Sequence, residues 1–264
     1  MRSRPEYRFE SAPDLPGSDR IARPLLWVIN RSLHALWNLQ VTGAVHVPLH
    51  GPAILCANHL SFCDSVFLPA SLPRRTWAIG KGEYLDDWKT KHLFPAMGMI
   101  SVDRSGGDAA QKALDAAARV LDAGKLFMIY PEGTRSRDQK LHKGRTGAAR
   151  LAQRTGAPII PVGIVGTLDV QPVGSVALRP FKDVTVSFAK PIHASAFGDP
   201  NDPRLARKMI DAVMFEIAEM TGQQYVHTYA GEDDKATAAI MPERHPAVIP
   251  SHAPSAPAQD SCEK

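Results

Sequence analysis

An imidazole and a carboxylate stand five residues apart, directly after a short apolar run. Residues 53–57 predict a buried strand, His59 follows them, and Asp64 lies where the next amphipathic segment begins. In open α/β sheets, ligands bind where the carboxyl ends of the strands emerge. A carboxylate on one ring nitrogen fixes the tautomer of a histidine and leaves the other nitrogen free to accept a proton. The pair is therefore a candidate general base with its orienting group.

The spacing of this pair sets a structural condition. On one continuous helix, five residues would separate the two side chains by about 140°, so a turn must intervene to bring them together. Two structural alternatives remain open: Ser61 with an acid three residues later is typical of a helix capping box, and His59 could be a satisfied core histidine. A Ser-His-Asp hydrolase triad is disfavoured, because the chain contains no G-x-S-x-G elbow.

A second polar cluster follows the apolar run 126–130. Its sequence is Pro131-Glu132-Gly133-Thr134-Arg135-Ser136. Gly133 allows the backbone to approach a ligand closely, and Arg135 offers a planar fork of donors that suits phosphate. Residues 135–154 hold seven basic side chains and one acid, a balance of +6. The alternative is an ordinary turn that leads into a solvated helix face. Weaker clusters are Lys81 and the Asp103-Arg104 pair, each after another apolar run.

Short apolar runs alternate with amphipathic segments from residue 41 onward. This pattern predicts an α/β fold, with a mixed, mostly parallel sheet flanked by helices. The predicted strands are residues 53–57, 76–79, 99–102, 126–130, 158–164 and 184–188. The predicted helices include residues 65–69, 108–123, 143–155 and 202–221, with Gly124 placed to end the second of them.

An amphipathic helix is predicted over residues 21–39, ahead of the sheet. Its apolar arc contains Leu25, Leu26, Ile29, Leu33, Leu36, Trp37 and Leu39. One interpretation is a helix that packs on its own domain. The other is an interfacial helix, in which Trp27 lies at headgroup level while Arg23 and Arg31 face lipid phosphates. The interfacial hypothesis is favoured because Trp27 lies off the centre of the arc with arginines nearby.

Composition limits the class of protein. The chain has 264 residues, 44% of them hydrophobic, and a formal net charge of +4, as in ordinary globular proteins. Three cysteines without paired spacing favour a reducing compartment. We expect neither a signal peptide nor a spanning helix, which needs about 18 or more apolar residues. The predicted organisation is a lead-in with the amphipathic helix over 1–40, one domain over 41–230, and a disordered tail over 231–264.

The order of these clusters resembles the glycerolipid acyltransferase family, most closely the bacterial 1-acyl-glycerol-3-phosphate acyltransferases. Four family blocks occur in order over roughly residues 40–220. They are Asn58-His59-x-Ser61-x-x-Asp64, Lys81 with Gly98-x-Ile100-x-x-Asp103-Arg104, Pro131-Glu132-Gly133-Thr134-Arg135-Ser136, and Ile160-Pro161-Val162. The main departure is Tyr130, which stands where the family usually has Phe.

The resemblance implies acyl transfer from acyl-carrier protein or acyl-CoA to the free hydroxyl of a lysophospholipid phosphate, which gives phosphatidic acid. It implies His59 as general base and Asp64 as its orienting group. The expected phosphate ligands are Lys81, Arg104 and Arg135, with Glu132, Gly133 and Thr134 shaping the pocket. Neither a metal nor a cofactor is implied, and no nucleic acid is an expected partner. We expect a peripheral enzyme at the cytoplasmic face of the cell membrane. The alternatives are a related acyltransferase with another acceptor, such as glycerol-3-phosphate, a lysophospholipid with a headgroup or an amino-acid lipid, and a lipid-binding module without turnover.

Overall fold

A seven-stranded sheet lies at the centre of the chain. The structure, a computed structural model, describes residues 18–80, 98–101, 108–199 and 202–231. The strands of this sheet are β1 (Asn38–Thr42), β2 (Ala53–Ala57), β3 (Thr76–Gly80), β4 (Met99–Ser101), β5 (Leu126–Ile129), β7 (Ile159–Val165) and β8 (Asp183–Phe188). Two short strands, β6 (Leu141–His142) and β9 (Tyr225–Val226), form a separate parallel pair.

The order of the strands is β1-β8-β7-β2-β5-β3-β4. All neighbours are parallel except β7 and β8, which run antiparallel from Val162↔Phe188 to Val165↔Thr185. The predicted mixed, mostly parallel sheet is thus confirmed. Strand β1 was not predicted, because its residues were assigned to the end of the preceding helix.

Strand β2 explains why helices must cover both faces of the sheet. All five of its residues are fully buried, and their side chains alternate between two cores. Ile54 and Cys56 join one core, and Leu55 joins the other. A parallel strand buried on both faces reads as a continuous apolar run rather than an alternating one, as it does here.

Helices α3 (Ala109–Asp122), α4 (Gly147–Thr155) and α6 (Leu205–Thr221) cover the first core. Helices α1 (Ser18–Leu36) and α2 (Asp64–Ala70) pack on the second, where a short helix α5 (Thr167–Val170) also contributes. Three predicted helices correspond to α2, α3 and α6 within a few residues. The predicted helix 143–155 begins only at Gly147.

The late start of α4 has a physical cause. The backbone before it bonds to other segments: the N–H of Lys143 donates to Thr228 O and the N–H of Arg145 donates to Pro131 O. A Cβ at Gly144 would also lie only 2.9 Å from the sulfur of Met214 on α6. Residues 143–146 are therefore held by contacts with neighbouring segments and do not form the first turn of the helix.

Helix α1 ends three residues earlier than the sequence predicted. It stops at Leu36, and the next residues form β1. The indole of Trp37 packs edge-on against Phe67 of α2, with ring centroids 5.8 Å apart, and its N–H donates to Arg179 O at 2.7 Å. The apolar arc is also partly used inside the protein, because Leu33 is buried and Ile29 packs on the same core.

The strand order brings three chain segments to one edge. The carboxyl ends of β5, β2 and β7 are neighbours, and the segments that follow them begin at Tyr130, Asn58 and Gly166. Both polar clusters of the sequence therefore meet at the same edge. None of the helices within the described ranges is long and apolar enough to cross a membrane.

Candidate active site

The turn between β2 and α2 brings His59 and Asp64 into contact. The Nδ1 atom of His59 lies 2.9 Å from Oδ2 of Asp64, and the carboxylate is buried while part of the imidazole remains exposed. No residue in the described ranges hydrogen-bonds to Nε2 of His59. The geometric condition set by the spacing is met, because Asp64 is the first residue of α2 rather than a later residue on the same helix.

Asp64 also organises the backbone of this turn. Its Oδ2 accepts the N–H groups of Leu60 at 2.7 Å and Ser61 at 2.8 Å, and its Oδ1 accepts the hydroxyl of Thr167 from α5. The Ser61 hydroxyl accepts the Cys63 N–H at 3.3 Å. The predicted capping box is not formed, because the helix begins at Asp64 itself, with Cys63 as the residue before it and no side-chain bond that caps the helix. One carboxylate thus fixes both the backbone of the turn and the imidazole.

Tyr130 forms the floor beneath the imidazole. Its ring stacks on that of His59 with centroids 3.8 Å apart and planes 8° from parallel. Its hydroxyl lies 3.1 Å from the Ser65 hydroxyl, and burial raises the pKa of the phenol. The residue that departs from the family pattern thus touches the candidate base directly. A phenylalanine would keep the stack and lose only the hydrogen bond.

Glu132 ties the second cluster to the first. Its side chain is fully buried, with Oε1 accepting the His59 N–H and Oε2 accepting the His142 N–H, each at 3.1 Å. The return contact is the Ser136 N–H, which donates to His59 O at 2.8 Å. Burial raises the pKa of Glu132 to about 7, against the lowering effect of the two N–H donors. The sequence predicted a pocket residue, but this carboxylate does not reach the cavity wall.

A cavity of about 1050 Å³ opens in front of His59 and Tyr130. Its lining includes apolar side chains such as Met99, Leu114 and Phe127. It also includes the basic side chains of Arg135, Arg137, Arg145 and Arg150, together with Gly133 and Thr134. The volume is in the range of small-molecule sites, and a lining that is part apolar and part basic matches an amphiphilic ligand with an anionic end.

Gly133 is required by both backbone conformation and space. Its φ is +80°, which L side chains rarely adopt, and a Cβ there would meet the side chain of Arg145 at 3.0 Å. The close approach expected from the sequence is thus present, although the neighbour seen is an arginine of the cavity wall. Lys81, Asp103 and Arg104 lie outside the described residues.

Sequence reasoning missed several residues of this site. Thr167 contacts Asp64 from a position 103 residues away in the chain, and the stack of Tyr130 on His59 was not expected. The only available indication for Thr167 was its place after β7, beside the end of β2. Arg145 and Arg150 were counted in the basic excess but were not assigned to the cavity.

The described residues offer neither an activated thiol nor a metal cluster. Burial raises the pKa of the Cys63 thiol beside the catalytic turn, which disfavours the nucleophilic thiolate. Within the described ranges, no group of three or more His, Cys, Asp or Glu side chains is placed to hold a metal ion. The arrangement is suited to proton transfer by His59 rather than to a covalent intermediate on this turn.

Comparisons with known proteins support a common family. Residues 38–165 match the family model described as Acyltransferase, which includes the His59–Asp64 turn and the cluster 131–136. A chloroplastic 1-acyl-sn-glycerol-3-phosphate acyltransferase of Arabidopsis thaliana is 28% identical over 171 residues, which cover 64% of this chain and 48% of that protein. The enzyme of Limnanthes douglasii with the same activity in its name is 31% identical, over 59% of this chain and 54% of its own length. The chain thus spans about half the length of the curated relatives it matches.

A solved structure shares the fold. The 1-acyl-sn-glycerophosphate acyltransferase PlsC of Thermotoga maritima superposes with a TM-score of 0.60 and 24% identity, over 79% of this chain and 85% of that one. The shared fold and the family match over residues 38–165 therefore point the same way. Residues 38–165 of the chain are similar to the Acyltransferase family, and the fold is that of a solved acyltransferase.

Proposed function

We propose that this protein transfers a fatty acyl group from acyl-carrier protein or acyl-CoA to the free hydroxyl of 1-acyl-glycerol-3-phosphate. The product is phosphatidic acid, a phospholipid precursor. The observation that carries the proposal is the His59–Asp64 pair, with His59 lining a cavity whose other lining side chains are part apolar and part basic. The relatives from Arabidopsis thaliana and Limnanthes douglasii, both named as 1-acyl-sn-glycerol-3-phosphate acyltransferases, support the same activity.

In this mechanism, Nε2 of His59 takes the proton of the acceptor hydroxyl as the oxygen attacks the thioester carbonyl. The tetrahedral intermediate collapses with loss of the thiolate, and the imidazolium returns the proton to that sulfur. Asp64 holds the ring through Nδ1 and stabilises the imidazolium while it exists. Such proton transfer contributes about 10²–10⁴-fold, so the remainder of the rate enhancement comes from positioning and electrostatics.

The basic side chains that line the cavity supply the second requirement of the reaction. The phosphate of the acceptor would lie against Arg135, with Arg104 and Lys81 assigned to it from the motif blocks. Gly133 and Thr134 line the same cavity, and its apolar side chains have the character that an acyl chain requires. Glu132 acts from behind by fixing the backbone of His59. No step of this scheme uses a metal or cofactor.

An acceptor whose chain lies in a bilayer requires a protein that rests on the membrane surface. We therefore propose peripheral binding at the cytoplasmic face of the membrane. The domain organisation proposed from the sequence is retained: the helix region over 1–40, the catalytic domain over 41–230 and a separate tail over 231–264. Residues 1–17 and 232–264 lie outside the described residues.

A thiol-release assay with acyl-CoA tests the proposal. The purified protein is supplied with lysophosphatidate, glycerol-3-phosphate, a lysophospholipid with a headgroup and an amino-acid lipid in parallel, and the whole panel is repeated with acyl-carrier protein. Release that depends on lysophosphatidate supports the proposed acceptor. Release only with another acceptor identifies a related acyltransferase, and none with any pair identifies a lipid-binding module.

A further inference from the structure

One loop gathers apolar side chains on the surface without burying them. The loop 171–182 connects α5 to β8 and has the sequence Gln-Pro-Val-Gly-Ser-Val-Ala-Leu-Arg-Pro-Phe-Lys. Of the eleven large apolar side chains exposed within the described ranges, it holds four, namely Val173, Val176, Leu178 and Phe181. Val176 is 94% exposed and Phe181 is 80% exposed. Soluble proteins scatter such residues singly, whereas a cluster marks an interaction surface.

The backbone of this loop is held by hydrogen bonds at both ends and across its middle. The side-chain amide of Gln171 donates to Ser175 O at 3.1 Å, and the N–H of Arg179 donates to Val170 O at 2.8 Å. The N–H of Phe181 donates to Leu36 O, the last residue of α1, at 2.7 Å. The apolar side chains are therefore presented by a defined backbone, and their exposure does not follow from a lack of backbone contacts.

Phe181 is held in an unfavourable conformation. Its φ is +59°, in the left-handed region that residues with a bulky side chain rarely adopt. The ring gains no compensating burial, because it lies in solvent. Local backbone strain is retained at functional positions, where the surrounding structure fixes it. An exposed aromatic ring fixed in this way points to a contact that is made outside the chain.

The charges of the loop specify the chemistry of that contact. The loop contains Arg179 and Lys182, both exposed, and no acidic residue. The first acid after it is Asp183, whose carboxylate accepts a hydrogen bond from Asn38 at 2.9 Å. Apolar side chains interspersed with cations suit an interface of acyl chains and anionic headgroups.

The same loop borders the candidate active site. Its first five residues, 171–175, line the cavity in front of His59. Val176 and Leu178 then border a shallow apolar groove against Leu33 and Trp37, which places the loop beside the end of α1. A bilayer seated on the loop would thus lie next to the mouth of the cavity. A protein partner would gain no comparable advantage from this position.

We propose that loop 171–182, together with Leu36 at the end of α1, is the surface by which this protein lies on an anionic lipid bilayer. The bilayer delivers the amphiphilic acceptor from the side of residues 171–175. This inference rests on the proposed function for the acceptor, but the lipid contact itself is measured without turnover. It also differs from anchoring by the whole arc of α1, because Ile29 and Leu33 of that arc pack on the core, whereas Leu36 is exposed.

Cosedimentation of the full chain with vesicles of equal parts phosphatidylcholine and phosphatidylglycerol tests this surface. The double variant Val176→Ser/Phe181→Ser removes two exposed apolar groups, and its vesicle partition should fall at least tenfold with an unchanged melting temperature. Phe215→Ser is the matched control, because Phe215 is also exposed, at 63%, but lies on α6. The control should bind as the wild type does.

Two further measurements separate the possible failures. Brominated acyl chains should quench the tryptophan fluorescence of the Phe181→Trp variant more than that of the wild type. The fluorescence of the Phe215→Trp variant should be quenched no more than that of the wild type. Thiol release with a short-chain, water-soluble lysophosphatidate should be the same in the double variant and the wild type. Absence of release in both would overturn the proposed acceptor and leave the binding result intact. The proposed membrane surface would be overturned if the double variant bound vesicles as the wild type does. It would also be overturned if the substitutions abolished a dimer of the protein and left vesicle binding unchanged.

Discussion

At the scale of single residues, the decisive contact is the one between His59 and Asp64. In His59→Ala we expect thiol release to fall by about 10²–10⁴-fold or more, because the proton acceptor is lost. Stability should change little, since Asp64 keeps its bonds from Leu60, Ser61 and Thr167. Turnover compared with thermal unfolding measures both. Near-normal turnover would remove His59 from the mechanism.

Asp64→Asn should behave differently from His59→Ala. The amide oxygen can keep the three contacts that Oδ2 makes, but the NH₂ group then takes the place of Oδ1, and the Thr167 hydroxyl must turn from donor to acceptor. We expect the variant to lose turnover and also about 1–3 kcal/mol in the free energy of unfolding, because hydrogen bonds to a charged acceptor contribute more than those to a neutral amide. Denaturant titration beside the thiol-release assay checks this, and Asp169→Asn on α5 is a control whose native side chain accepts no hydrogen bond from the catalytic turn. If Asp64→Asn lost activity and kept its full stability, the structural role of Asp64 would be contradicted.

Tyr130 offers a test of positioning. Tyr130→Leu removes the planar face beneath the imidazole and should lower kcat about tenfold with little change in KM, since such stacks contribute about 0.5–1.5 kcal/mol. Tyr130→Phe retains the stack and should restore kcat to within about threefold of wild type, while it loses the contact with Ser65. Equal losses in both variants would assign the effect to the hydroxyl instead.

At the scale of elements, Glu132 joins the two turns that carry the site, and its burial predicts a pH dependence. The folded protein holds this proton up to about pH 7, whereas the unfolded chain releases it near the ordinary value of 4.5. The free energy of unfolding therefore falls as pH rises between these values, by about 1–3 kcal/mol. The free energy of unfolding of Glu132→Gln should not show this fall with pH. The difference in stability between the variant and the wild type should therefore shrink as pH rises.

Denaturant unfolding between pH 4.5 and 7.5 measures the two slopes. The exposed Glu216→Gln on α6 is the control and should parallel the wild type. Parallel curves for Glu132→Gln and wild type would mean that the pKa of this carboxyl is not raised. The variant should be less stable throughout, because an amide cannot accept from both His59 and His142.

The elements show how far the sequence could lead. His59 and Asp64 could be paired in advance because both belong to one short segment, and the two polar clusters could be brought together because parallel strands share an edge. Strand β1 could not be predicted, because Trp37 and Leu39 stand at positions that continue the helical spacing of the apolar arc. Tertiary contacts of Trp37 with Phe67 and Arg179 end the helix, and local spacing does not encode them. The same holds for Thr167, which meets Asp64 only through the fold.

At the scale of the whole molecule, charge is distributed unevenly. The chain has a net charge of +4, yet residues 135–154 alone have +6, so the remaining residues together carry −2. Four arginines of the region 135–150 line the cavity that loop 171–182 also borders. The basic residues of this region thus line the cavity that the proposed acceptor would enter. Attraction to an anionic surface is screened by salt, with a screening length of about 10 Å at 0.1 M.

Raising NaCl from about 0.02 to about 0.5 M should therefore lower turnover on acceptor presented in anionic vesicles at least tenfold, since that range spans most of the screening. Turnover on a short-chain, water-soluble acceptor should change much less, because only the proposed phosphate contact at Arg135 would then be screened. Neutral phosphatidylcholine vesicles provide the control, on which activity should be low and nearly independent of salt. Equal salt dependence on all three would mean that salt acts on the catalytic step and that the charged face does not recruit the membrane. A strong dependence confined to anionic vesicles would instead link the uneven charge of the molecule to the delivery of its acceptor.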